Sequence, residues 1–146
     1  MKSLMKRFSV VALLLAVIST PAAAENMKKM GNMNIHYIAL GATFFTPEVA
    51  RAYGIERSKY NGLVNISVLD NTKDGTPAKV VTITGTARNL LGQKKEINFQ
   101  EVKEGDAIYY LAQVSYRNDE TISFDLMVSD GKESHNLKFK QKFYVD

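Results

Sequence analysis

Period-two alternation runs through this chain from residue 33 to its end, and it confines the fold to β-sheet with one buried face. Ile108, Tyr110, Ala112, Val114 and Tyr116 alternate with Tyr109, Leu111, Gln113, Ser115 and Arg117. Ile122, Phe124, Leu126 and Val128 alternate with Ser123, Asp125, Met127 and Ser129. Leu137, Phe139, Gln141, Phe143 and Val145 alternate with Lys138, Lys140, Lys142 and Tyr144. Successive strand residues point to opposite faces, so such a pattern buries one face and wets the other. Earlier strands are read over residues 34–40, 62–70, 78–88 and 94–102.

Turn chemistry separates the strands. Asn118-Asp119 and Asp130-Gly131 read as hairpin turns that tolerate positive φ. Residues 91–93 and 103–106 read as tight connections, and residues 71–77 as a longer polar loop. About seven short strands with a turn every ten or so residues predict an all-β fold, an antiparallel immunoglobulin-like β-sandwich. A closed barrel is the alternative. The cysteine–tryptophan–cysteine signature of immunoglobulin domains is absent, so the likeness is one of architecture.

One segment breaks the alternation. Thr46 suits an N-cap, Pro47 the first helical position and Glu48 the positive helix start. Val49, Ala50 and Tyr53 share a face, and Gly54 can end the helix. Two turns of helix over residues 47–53 follow. A helix this short must pack on the sandwich to persist.

The N-terminus reads as an address. Lys2, Lys6 and Arg7 precede an apolar run from Val10 to Ile18, and Ala22-Ala23-Ala24 offers a cleavage site. The run is short for a bilayer span, so residues 1–24 read as a secretory signal peptide cut after Ala24. Residues 25–146 then form a single domain, with residues 25–32 a loose mature N-terminus. The signal carries three of the nineteen basic residues and none of the fifteen acidic ones, which leaves a net charge near +1 in place of +4. That balance supplies no case for nucleic acid or for an anionic membrane. The chain has no cysteine, which excludes disulfides, thiol catalysis and a lipidated cysteine anchor. These features suit a soluble, monomeric protein of the bacterial periplasm. In a eukaryotic secreted protein Asn65-Ile66-Ser67 would be a glycosylation acceptor, but it lies inside an apolar strand pattern.

No catalytic constellation is legible. His36 and His135 stand far apart and belong to no metal-ligand spacing, so they read as a strand surface residue and a turn residue. No serine sits in a nucleophile elbow, and no glycine-rich phosphate loop is present. The carboxylate pairs Glu101/Glu104 and Asp119/Glu120 fall at turns, where such groups are solvated. No catalytic residue, metal or cofactor is therefore expected. The densest cluster of charged and aromatic side chains surrounds the helix: Glu48, Arg51, Tyr53, Arg57, Lys59 and Tyr60. A helix start beside arginines can hold an anion, with Arg51 and Arg57 as its contacts and Tyr53 and Tyr60 as walls. Lys138, Lys140 and Lys142 read as the outward face of an edge strand, where lysines deter edge-to-edge pairing. Gln141 falls on the apolar face and calls for a buried partner. Leu111 and Met127 fall on polar faces and would form one apolar spot if their strands were neighbours.

Three segments resemble a known family. TFFTPEVARAYGIERSKYNGLVNISVLD (43–70), EGDAIYYLAQV (104–114) and the terminal KFYVD (142–146), with TGTARNLLGQ (84–93) between, resemble a family of small exported bacterial proteins, the domain of unknown function four-four-two-six. The resemblance covers essentially all of the chain after the signal. It implies a single-domain, signal-bearing protein of Gram-negative bacteria, and it carries no assigned activity, cofactor or catalytic residue. The functional expectation is a non-enzymatic periplasmic binding module for a protein or a small anionic ligand. The alternatives are a strand-addition assembly or chaperone-like factor and, after it, a hydrolase or metal-dependent enzyme.

Overall fold

The computed structural model describes residues 25–145. The signal-peptide reading of residues 1–24, and Asp146 of the terminal block, lie outside the described residues. Among the described residues, nine strands form two antiparallel sheets: β1 (Asn26–Met30), β2 (Met33–Gly41), β3 (Asn61–Asp70), β4 (Thr82–Arg88), β5 (Lys94–Ile97), β6 (Gln100–Glu104), β7 (Ala107–Ser115), β8 (Glu120–Ser129) and β9 (Ser134–Phe143). One sheet has the order β1-β2-β3-β7-β6 and the other β5-β4-β8-β9. The fold is an all-β sandwich and not a barrel.

Alternation places the main core between the sheets. Ile35, Val64, Ile66, Val68, Phe124, Leu126, Val128 and Leu137 are essentially inaccessible there. Two ring contacts tie the sheets, with centroid separations of 4.6 Å for Tyr37–Phe139 and 4.5 Å for Tyr116–Phe143, and within the four-stranded sheet Phe124 stacks on its cross-strand partner Phe139 at 4.8 Å. A second core lies on the outer face of the five-stranded sheet, under helix α1 (Pro47–Tyr53). Val49, Ala50 and Tyr53 meet Ile38, Leu40, Leu63 and Leu111 there. The helix begins and ends as its residues dictate. Thr46 Oγ1 accepts the Val49 N–H at 3.2 Å, Pro47 opens the first turn, and Gly54 closes it at φ 68°.

Several expectations need correction. Residues 25–32 are not loose: β1 pairs with β2 from Asn26↔Tyr37 to Met30↔Met33. Residues 94–102 are not one strand but two, since β5 pairs with β4 and β6 crosses to pair with β7. With β1, this raises the strand count from seven to nine. Asn118-Asp119 does not close a hairpin, because β7 and β8 belong to different sheets; Asp119 does adopt positive φ at 62°. Leu111 and Met127 therefore form no common spot: Leu111 is buried under α1, whereas Met127 faces solvent. His135 is a strand residue in β9 and not a turn residue. Gln141 departs from the expectation of a buried partner: its Nε2 donates to the Lys142 carbonyl at 2.9 Å at the surface.

Other expectations agree. β9 is an edge strand with Lys138, Lys140 and Lys142 outward. Asn65 is 6% exposed in central strand β3, which leaves no room for a glycan.

Candidate functional site

The two ends of the sandwich differ in how their polar groups are used, and the difference locates the candidate site. At one end the loops after β1, β3 and β8 lock together. Asp130 accepts the Lys132 and Glu133 N–H groups at 2.8 and 2.9 Å, binds Lys79 Nζ at 2.9 Å and takes Asn32 Nδ2 at 3.2 Å. Lys79 also lies 3.7 Å from Asp70, whose Oδ1 accepts from the Thr72 N–H at 2.9 Å. Glu133 Oε1 accepts the Asn32 N–H at 2.9 Å and meets His135 Nε2 at 2.7 Å. The Glu133 amide, then Lys79, hold the Asp130 carboxyl well below the usual carboxylate range. The hydroxyl of Thr72 lowers Asp70, and His135 lowers Glu133. Every one of these carboxylates faces donors of its own chain, so this end is a clasp.

At the opposite end a cleft of about 270 Å³ opens between the β2–α1 connection and the close of β9. Thr43, Phe44, Lys59, Tyr116, Lys142 and Tyr144 line it. Phe44, in the 3-10 turn Ala42–Phe44, is 56% exposed, and Tyr144 is 57% exposed. Lys142 Nζ lies 5.6 Å from the Tyr144 ring and 3.0 Å from Asp119 Oδ1, and the carboxylate raises the lysine pKa. Lys59 Nζ lies 5.7 Å from the Tyr60 ring. Among the described residues, no carboxylate forms an ion pair with Lys59. Beneath the cleft the Tyr116 and Phe143 rings stack over Gly62, where a Cβ would sit 2.8 Å from Phe143.

The six residues singled out from the sequence do not converge. Tyr53 is buried, and its hydroxyl donates to Glu104 Oε1 at 2.8 Å; burial, then that carboxylate, pushes its pKa up. Arg57 Nε donates to the Phe45 carbonyl at 2.7 Å, which pins the chain leading into α1. Glu48 and Arg51 are exposed on α1. Lys59 reaches the cleft, and Tyr60 is half exposed beside it. Phe44, Tyr116, Lys142 and Tyr144 were not grouped by sequence, because three separate segments bring them together. Their one legible signal was Tyr144, an aromatic on the polar face of the last strand pattern.

The histidines stay apart. His36 Nδ1 lies 3.5 Å from Glu25 on the outer face of the five-stranded sheet, whereas His135 belongs to the clasp. Among the described residues, no three His, Cys, Asp or Glu side chains gather at metal-binding distance.

A family described as a domain of unknown function, DUF4426, matches residues 27–146. The chain belongs to the DUF4426 family. A DUF4426 protein of Pseudomonas aeruginosa, known from its crystal structure, is 30% identical over 84% of this chain and 96% of its own, with a TM-score of 0.72. Two structures of FetP from uropathogenic Escherichia coli share the fold at lower identity. A copper-bound variant is 15% identical, covering 83% of this chain and 95% of its own, with a TM-score of 0.58. The as-isolated protein, expressed in the periplasm, is 14% identical over 84% and 95%, with a TM-score of 0.56. No curated protein matches the chain.

Proposed function

We propose that this DUF4426 protein is a non-enzymatic periplasmic module that binds a small anionic ligand with a planar or apolar portion in its end cleft. The meeting of Lys59 and Lys142 with Phe44, Tyr116 and Tyr144 carries this reading. The Lys59 ammonium selects an anion, Lys142 being paired with Asp119 at the rim, and exposed rings select a flat or apolar body. The sequence of residues 1–24 supports export, with cleavage after Ala24. The sheet edges speak against strand addition: β1, β5 and β6 have four or five residues, and β9 presents its lysines. The test is calorimetric titration with phenyl phosphate and with inorganic phosphate. Phenyl phosphate should bind more tightly, and Lys59→Ala should weaken it by about ten-fold or more, as loss of a charged hydrogen bond does. Equal, unaltered binding by the variant overturns the assignment.

One observation favours a second reading. Met27 is the direct cross-strand partner of His36, and Glu25 lies 3.5 Å from its Nδ1. Imidazole, thioether and carboxylate donors on one sheet face are ones copper accepts, and FetP is copper-bound in one of its structures. Copper titration of wild type and His36→Ala decides it: a site lost with the imidazole supports a metal there, and absence of any stoichiometric site removes it.

A further inference from the structure

The near-neutral charge of the chain conceals a separation. Arg88 is the direct cross-strand partner of Lys94 on one side and of Ser123 on the other, and Ser123 pairs with Lys140. One row on the solvent face of the four-stranded sheet therefore reads Lys94, Arg88, Ser123, Lys140, with no carboxylate in it. Like charges directly opposite across strands destabilise a sheet. The next row away from this end balances its charges through Glu96, Asp125 and Lys138. Two acidic groups beside this row are engaged: Asp119 with Lys142, and Glu120 with the Arg117 N–H at 3.2 Å.

Immediately beyond the cationic row, the β4–β5 turn projects two leucines into solvent. Leu90 is 78% exposed and Leu91 86%. They are not free to fold back. Asn89 Oδ1 accepts the N–H groups of Leu91 and Gln93, both at 3.0 Å, and its Nδ2 donates to Gln93 Oε1 at 2.8 Å. Gly92 supplies the positive φ of 83° that the turn requires. A rigid, convex tip of two leucines is too narrow for a standard protein interface. It does suit entry into a soft interface, and the row behind it lies where phosphates of that interface would stand.

We propose that this end of the sandwich docks on a bilayer of anionic phospholipid. Leu90 and Leu91 enter the headgroup–acyl boundary, and Arg88, Lys94 and Lys140 meet the lipid phosphates. Tyr116 lines both the end cleft and the cavity beside this hairpin, so docking brings the cleft to the membrane surface. The inference stands without the cleft's ligand, since none of its residues lines the cleft.

The test is sedimentation, with protein recovered from cells expressing the full chain, on vesicles of phosphatidylglycerol mixed with phosphatidylcholine and on phosphatidylcholine alone. Binding should require phosphatidylglycerol and weaken with salt. Leu90→Ser with Leu91→Ser should reduce it about ten-fold or more, and Arg88→Gln with Lys94→Gln should reduce it similarly. Because the chain has no cysteine, Leu91→Cys also gives a unique site for an environment-sensitive fluorophore. Its emission should shift to the blue on phosphatidylglycerol vesicles, a readout that survives if the double variants fold poorly. Binding that ignores lipid charge, an unshifted fluorophore, or capture by polyglutamate without vesicle binding would overturn the proposal.

Discussion

The two ends of the sandwich carry similar side chains and use them in opposite ways. At the clasp, Asp70, Asp130 and Glu133 are matched to Lys79, Asn32, His135 and backbone amides of the same chain. At the cleft end, Lys59, Arg88, Lys94 and Lys140 face outward beside exposed Phe44, Leu90, Leu91 and Tyr144. A residue type alone does not reveal which role it has. The number of internal donors and acceptors around it does, because a polar group satisfied within the chain has little left to offer a ligand.

The clasp should therefore show the largest stability effect. Asp130→Ala leaves Asn32 and two amides without their acceptor and Lys79 with only its 3.7 Å contact to Asp70, and the melting temperature should fall by about 5–10 °C. The pH dependence has a definite sign. The folded-state pKa values of Asp130, Asp70 and Glu133 lie below the ordinary carboxylate values, so the folded state binds fewer protons than the unfolded one in that range. Their stabilisation is complete above about pH 4–5 and is lost as the pH falls through the depressed values. Thermal melts of wild type should decline steeply below about pH 4, and Asp130→Ala should flatten that decline. An identical acid limb in the variant would show that the clasp is not what acid breaks.

Gly62 offers a sharper test at the other end, because its importance comes from space and not from charge. A Cβ there would sit 2.8 Å from Phe143 and 3.2 Å from Tyr116. Gly62→Ala should cost about 1–3 kcal/mol through displacement of the ring stack, and it should impair the cleft above it as well. Denaturant unfolding measures the first effect and phenyl phosphate titration the second. Thr46→Ala removes the helix cap seen at Val49 N and should cost about 1 kcal/mol, with the cleft left intact.

These contrasts also explain which features could be read from the sequence. The central strands were legible because each has a face buried against the opposite sheet, so apolar residues recur every second position. Helix α1 was legible because its signals are local: Thr46, Pro47 and Gly54 act within a few residues of one another. The β5–β6 corner was not, since Ile97 and Val102 are both buried but in different cores. The apolar positions shift parity between Phe99 and Val102, where the chain changes sheets. β1 escaped notice because its residues are largely exposed and show no apolar alternation. Arg57 and Tyr53 stood out for their charge and ring, yet their partners, the Phe45 carbonyl and Glu104, are fixed by tertiary structure. The basic row was invisible for the same reason: Arg88, Lys94 and Lys140 become neighbours only when β4, β5, β8 and β9 assemble.

The smallest stability effect decides most about function. Lys59 makes a ring contact at 5.7 Å, lines the cleft and, among the described residues, forms no ion pair. Lys59→Ala should shift the melting temperature by no more than about 1–2 °C, as surface changes do, while abolishing most of the phenyl phosphate affinity. If the same substitution instead lowered stability as Asp130→Ala does, Lys59 would belong with the clasp residues. The cleft end would then be held together by its cations, and the separation between a structural end and a binding end would fail at the residue on which it most depends.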